Sequence, residues 1–191
     1  MKKERELEDL KKQIAADKKL RLKSNLVFGE GNANAQVVFI GEAPGAKEDI
    51  EGRPFVGRSG QLLRRMICEN GWKESEVYIT NIVKQRPPEN RDPTQEEILL
   101  YIPYLQKQLD IIKPKIIVPL GRFSTNYFLP KAKITIDQGK VFLQNKRKIF
   151  PMLHPAAALR STKRMKMFID SFKTLSDITS GVYKGRVIKV D

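Results

Sequence analysis

One cysteine, one histidine and one tryptophan are all that the 191 residues hold of three chemically distinctive side chains. The lone Cys68 excludes an intramolecular disulfide and any metal site built on several thiolates. It falls in an apolar helical pattern, Leu62-Leu63-Arg64-Arg65-Met66-Ile67-Cys68, and is expected to pack in or beside the core. The lone His154 excludes a metal site with two imidazoles. No apolar run approaches the roughly 20 residues of a membrane-spanning helix, so no membrane partner is expected. The opening segment, MKKERELEDLKKQIAADKKL, is too charged for a secretory signal. A reducing cytoplasm is the expected compartment.

Acids are scarce relative to bases. Asp and Glu number 22 against 36 Lys and Arg, a net charge of +14. Such an excess suits a polyanionic partner, because each neutralised phosphate releases counterions. Composition alone does not choose between DNA, RNA and a membrane surface. The distribution is more telling: Lys140, Lys146, Arg147, Lys148, Arg160, Lys163, Arg164 and Lys166 surround His154 with no Asp or Glu among them. The N-terminal segment mixes both signs, as a solvated helix face does.

The length suits one domain, residues 1–191, with an N-terminal helix within 1–22 and a basic tail over 180–191. Leu7, Leu10, Ile14 and Leu20 form the sparse apolar stripe of that helix. Runs at 36–40, 77–81, 115–120 and 148–152 read as strands, the apolar ones of buried parallel type. Helices are expected over 59–69, from Thr94 to about Ile112, just after Gly121, and over 161–176; Thr94 and Glu97 form a capping box. Residues 133–144 resemble a hairpin turning at Gln138-Gly139. Alternating strands and helices imply an α/β fold, a three-layer α/β/α sandwich around a mainly parallel four-stranded sheet. Ligands of such sheets sit at the carboxyl ends of the strands. Gly41-Glu42-Ala43-Pro44-Gly45, Asn81 and His154-Pro155 each follow a strand, so three loops should meet in one cleft.

Each cluster is ordinary alone. Glu42 lies in a glycine-flanked turn that is neither a Walker loop nor a dinucleotide fingerprint. Asn81 offers a donor and an acceptor to a base edge, yet asparagine at a strand end is usually a turn former. A lone histidine is more often packed than catalytic, and Phe55 in GRPFVG could be plain core.

Together, GEAPG-x-x-ED, GRPFVG, TNIVK-x-RPP-x-NR and HPAAALR, in that order, resemble the family-4 uracil-DNA glycosylases from about Val27 to about Leu175. The resemblance implies excision of uracil from DNA by hydrolysis of the N-glycosidic bond. Carried over, Gly41, Glu42 and Ala43 line the uracil pocket and Glu42 holds the attacking water. Phe55 stacks on the extruded base, Asn81 bonds its N3–H and O4, and His154 faces O2. Glu48 keeps a second acidic position. Leu159, Arg160, Lys163 and Arg164 are expected to contact DNA, although the small Ala156-Ala157-Ala158 loop leaves the wedge residue open. Uracil-containing DNA is the expected partner, in the nucleoid, and a monomer the expected state.

Members of that family hold a four-iron, four-sulfur cluster on four cysteines. Here those positions fall on Ile14, Asp17, Gln85 and Tyr101, so no cluster and no cofactor is expected. Two alternatives stand beside the uracil reading: a glycosylase for another deaminated base such as hypoxanthine, or an inactive DNA-binding relative. A covalent uracil-trapping relative is disfavoured, because its nucleophilic histidine lies on an extra basic loop and the only histidine here belongs to HPAAALR.

Overall fold

The computed structural model describes residues 2–20 and 23–190; Met1, Arg21, Leu22 and Asp191 lie outside the described residues, so the extremes of the expected 1–22 and 180–191 segments do too. The first helix is α1 (Lys2–Ala16), whose Leu7, Leu10 and Ile14 are buried, followed by a 3-10 turn that buries Leu20. Next come β1 (Glu30–Gly31), β2 (Val37–Gly41), α2 (Ala46–Glu51), α3 (Arg58–Glu69) and β3 (Tyr78–Asn81). Helix α4 (Gln95–Ile112) opens on Thr94, whose side chain accepts from the Glu97 amide while the Glu97 carboxylate accepts from the Thr94 amide. Then follow β4 (Ile116–Pro119), α5 (Arg122–Phe128), α6 (Ile134–Asp137), β5 (Val141–Gln144), β6 (Arg147–Ile149), α7 (Pro155–Ala158), α8 (Thr162–Ser180) and β7 (Val187–Lys189).

One mixed, mostly parallel sheet of seven strands runs through the described residues in the order β1-β3-β2-β4-β6-β5-β7. Its centre, β3-β2-β4-β6, is all parallel, and these are the four strands expected from the apolar runs. The expected count of four is corrected to seven. The added strands lie toward the edges, and short or half-exposed segments there carry little of the continuous apolar signal that burial on both faces imposes. Strand β1 has only two residues, and β7 presents an exposed, intermediate, exposed pattern within what reads as a basic tail.

The expected hairpin over 133–144 is also corrected. Residues 134–137 are helical, Gly139 carries a φ of 76°, and the hairpin is β5–β6, turning at Asn145 (φ 48°) and Lys146 (φ 66°). Two consecutive left-handed residues are what a two-residue hairpin turn of type I′ requires; Asn145-Lys146 supplies them without the usual glycine.

Alternate residues of β2 feed opposite faces of the sheet, as strand geometry dictates. Val38 and Ile40 join a core with Leu7, Leu10 and Ile14 of α1 and Tyr101, Leu105 and Leu109 of α4. Val37 and Phe39 join a second core with Leu62, Leu63, Met66 and Ile67 of α3 and Phe168, Phe172 and Leu175 of α8. Helices thus cover both faces. Cys68 does not pack: it is exposed, a further 100° round α3 from Ile67 and off the buried stripe.

Candidate active site

The central register brings the three expected loops to one end of the sheet. Gly41 pairs directly with Asn81 across β2 and β3, and the pairing continues past the strands through the Ile82 and Val83 amides to the Gly41 and Glu42 carbonyls. A parallel bridge, Leu120 to Met152, extends the β4–β6 pairing to within two residues of His154. The result is a cleft of about 280 Å³ whose walls include Glu42, Ala43, Glu48, Phe55, Asn81 and His154. That volume is at the small end for ligand pockets, which run from about 300 to 1,000 Å³, and suits a single ring.

Gly41 lies behind the wall. A side-chain carbon there would come within 2.2 Å of the Asn81 amide oxygen and 2.5 Å of the Phe55 ring. Only glycine lets those two groups approach so closely, which accounts for the first residue of GEAPG.

Phe55 is held in an uncommon shape. Its φ is 54°, a left-handed conformation that costs an aromatic residue about 1–3 kcal/mol. Two clamps hold it. The Glu48 carboxylate accepts from the Val56 and Gly57 amides at 3.0 and 2.8 Å, and Arg64 donates to the Pro54 and Phe55 carbonyls at 2.7 and 2.8 Å. Arg64 is itself paired with Glu30 and Glu74. Gly60 completes the fit, because a side chain there would overlap the Phe55 backbone at 2.0 Å. The Phe55 ring then stands 5.8 Å from the His154 ring, centroid to centroid.

His154 caps α7: its Nδ1 accepts from the Ala156 amide at 3.2 Å. A ring nitrogen that accepts carries no proton, so the proton of the neutral imidazole is assigned to Nε2. Burial pushes the His154 pKa down to about 4, against the Glu48 charge, which raises it, while the Arg160 charge lowers it further. Near neutral pH the ring is therefore an uncharged donor.

Glu42 is shifted the other way. Burial, with the Asp92 charge adding to it and Arg122 opposing it, pushes the carboxyl up to about 7. Asp92 and Arg122 pair at 3.3 Å.

Neither the Asn81 amide nor the Glu42 carboxylate has a hydrogen-bond partner within the described residues, although Asn81 is only 2% exposed. Buried polar groups are normally paired, so groups left open on a cleft wall are disposed toward something that enters it.

Leu159, Arg160, Lys163 and Arg164 are not on the cleft wall. Leu159 packs half-buried against the core, and the three cations are exposed on the corner between α7 and α8. Leu159 and Arg160 line a neighbouring groove with Lys47 and Arg58. Sequence reasoning gave no role to Arg64, Lys84, Asn90 or Arg91. Asn90 and Arg91 join the cleft wall, and their only signal was membership of the RPP-x-NR segment.

A larger concavity, about 800 Å³, lies between the 3-10 turn after α1 and the start of α4. Two ion pairs close within its walls, Arg91 with Glu97 and Arg86 with Asp49. The positions matching the family's cluster lie in this region. Ile14 is fully buried, Asp17 accepts from the Tyr104 hydroxyl, and the Tyr101 hydroxyl donates to Gln85 at 3.4 Å. An aliphatic chain, a carboxylate, an amide and a phenol are not ligands for an iron–sulfur cluster, and the single cysteine stands on α3. The residues present do not fit that group.

A family model for the uracil DNA glycosylase superfamily matches residues 28–176. The chain is 45% identical over 185 residues to the type-4 uracil-DNA glycosylase of Sulfurisphaera tokodaii, covering 90% of this chain and 84% of that protein. Identity to the type-4 enzyme of Saccharolobus solfataricus is 45% over 170 residues, covering 84% and 79%. With that of Archaeoglobus fulgidus it is 40% over 184 residues, covering 90% and 92%. The chain belongs to the uracil DNA glycosylase superfamily, on its type-4 branch.

Proposed function

We propose that this chain excises uracil from DNA by hydrolysing the bond between the base and the sugar, leaving an abasic site, as a single domain acting as a monomer. The observation that carries this reading is the convergence of three differently poised polar groups on one ring-sized cleft: an acceptor with a raised pKa, a neutral imidazole donor and an open amide. The wall residues named above all come from one chain. Among the described residues no helix is long and apolar enough to cross a membrane, and the DNA substrate places the enzyme at the nucleoid.

A base inside a duplex is out of reach, so the nucleotide turns out into the cleft, at a cost of a few kcal/mol. Phe55 stacks on the ring, with Gly41 and Ala43 behind and beside it. The Asn81 amide donates to O4 and accepts from N3–H. Cytosine offers an amino group and an unprotonated N3 on that edge, which leaves buried groups unpaired. As the bond from C1′ to N1 breaks, its electron pair stays with uracil. His154 Nε2–H donates to O2, where negative charge develops, and is worth more there in the transition state than in the ground state. Ionised Glu42 orients a water and accepts its proton as the oxygen bonds to C1′. Glu48 acts through the loop that holds Phe55. Arg160, Lys163 and Arg164 neutralise phosphates beside the cleft, and Leu159 or Arg160, from the neighbouring groove, fills the gap left by the base.

The test is a uracil-containing oligonucleotide incubated with the protein and then treated with alkali, with Glu42→Ala and His154→Ala as controls and a hypoxanthine substrate in parallel. Strand breaks at uracil that vanish in both variants are expected. Binding without breaks overturns the enzymatic reading, and breaks only at hypoxanthine overturn the choice of base.

A further inference from the structure

Lys84 is fully buried, yet it pairs with no carboxylate among the described residues. Its amine donates to the Thr80 hydroxyl, to the Asn81 main-chain carbonyl at 2.8 Å and to the Gln108 side-chain oxygen at 2.6 Å. Thr80 already donates to the Phe28 carbonyl, and the Gln108 amide nitrogen donates to that carbonyl and to the Tyr78 hydroxyl. Both partners therefore have their own donors engaged, and a carbonyl can only accept. Three acceptors around one nitrogen call for three N–H groups, the ammonium form. Burial alone pulls the Lys84 pKa well down; the three bonds oppose it.

A buried cation is costly unless its surroundings repay it, and its place is informative. The residue whose carbonyl it grips is the one whose side chain enters the cleft. The stretch between them is fixed as well: the Ile82 and Val83 amides donate to Gly41 and Glu42, and the Lys84 carbonyl accepts from the Val27 amide. The base that leaves the cleft carries a full negative charge on the ring facing Asn81, and fixed charge in a water-poor interior acts over longer range than in solvent.

We propose that Lys84 is a positioning residue for uracil excision, its ammonium locking the Asn81 end of β3 and setting a buried positive charge behind the ring that departs as an anion. This rests on the reading under Proposed function. The test compares the wild-type chain with Lys84→Met in single-turnover excision of uracil and of 5-fluorouracil, whose fluorine makes the ring a better leaving group.

The expected loss on uracil is about ten- to a hundredfold, less than removal of a donor that touches the reacting oxygen. The loss on 5-fluorouracil is smaller, because that anion needs less help. DNA affinity, which phosphate contacts dominate, stays within about threefold. The double variant Lys84→Met with Gln108→Met removes a stranded acceptor together with the charge; it keeps the test if Lys84→Met does not fold, and its rate stays low although its folding recovers. Unchanged uracil excision, equal losses on the two bases, or a rate restored in the double variant each overturn the proposal. A wild-type chain that excises no uracil sinks the glycosylase reading and this inference with it. An active wild type with an equally active Lys84→Met sinks this inference alone.

Discussion

Two regions at either side of the residue 82–87 stretch treat their polar side chains in opposite ways. Between α1 and α4, Tyr101 reaches Gln85 and Tyr104 reaches Asp17, and Ile14 fills the space with carbon. In the cleft, Glu42 and Asn81 find no partner within the described chain. Satisfied polar groups hold a shape; open ones raise the free energy of the folded state and are retained where a ligand will complete them. The first region is built for stability and the second for chemistry, and substitutions should separate the two.

The largest effect is expected in the cleft. Glu42→Ala removes the water's base and should lower single-turnover excision by about 10²–10⁴, with His154→Ala close behind at about 10²–10³, and both variants should still fold. A variant that loses activity only in step with its folded fraction would erase the distinction between the regions. On the other side, Tyr101→Ala should destabilise the fold by about 3–5 kcal/mol, as large-to-small core changes do, while the rate per folded molecule holds. Equilibrium denaturation and active-site titration measure the two quantities. Metal analysis belongs with it: purified protein should contain no stoichiometric iron or sulfide.

The sequence made one region far more legible than the other. Four parallel central strands were readable because burial on both faces forces continuous apolar runs such as QVVFI and KIIVPL. Glu42, Asn81 and His154 were readable as a set because each follows such a strand. Phe55 was visible as a residue but its left-handed backbone was not, since the clamps that hold it come from Glu48 and Arg64, which mean nothing until α2 and α3 are placed. Lys84 was opaque for the same reason: a lysine after Ile82-Val83 looks like a strand exit, and its acceptors arrive from β3 and α4. The edge strands were missed because they bury too little to mark the sequence.

Asn81→Asp comes next in size. A carboxylate cannot donate to O4, so excision of uracil should fall by about a hundredfold, the upper end of what one unsatisfied buried group costs, and preference should move toward cytosine. Competition between uracil and cytosine oligonucleotides reads the change; unaltered selectivity would remove Asn81 from recognition. A smaller, graded effect is the pH profile. Glu42 must be ionised to take a proton, so the rate should climb about tenfold per unit below a pH of about 7 and level off above it. His154, shifted down to about 4, contributes no second limb between pH 5 and 8. A descending limb with a midpoint near 6.5 would mean that the imidazole works as a cation.

The smallest effect tests the cost of leaving Glu42 open. Its ordinary pKa of 4.5 is raised to about 7 in the folded chain. Below pH 4.5 both folded and unfolded chains hold the proton, and there is no penalty. Between 4.5 and 7 the unfolded chain releases it while the folded chain keeps it, so folding stability declines as pH rises. Above 7 both are ionised and the penalty stays at its full value. Glu42→Gln keeps the shape and removes the charge. It should therefore leave stability unchanged near pH 4 and increase it by about 1–3 kcal/mol at pH 8, a range discounted for the carboxyl's partial exposure. Denaturation at the two pH values measures it. An equal gain at both would assign the stabilisation to packing, and the contrast between an open cleft and a closed α1–α4 junction would lose its electrostatic basis.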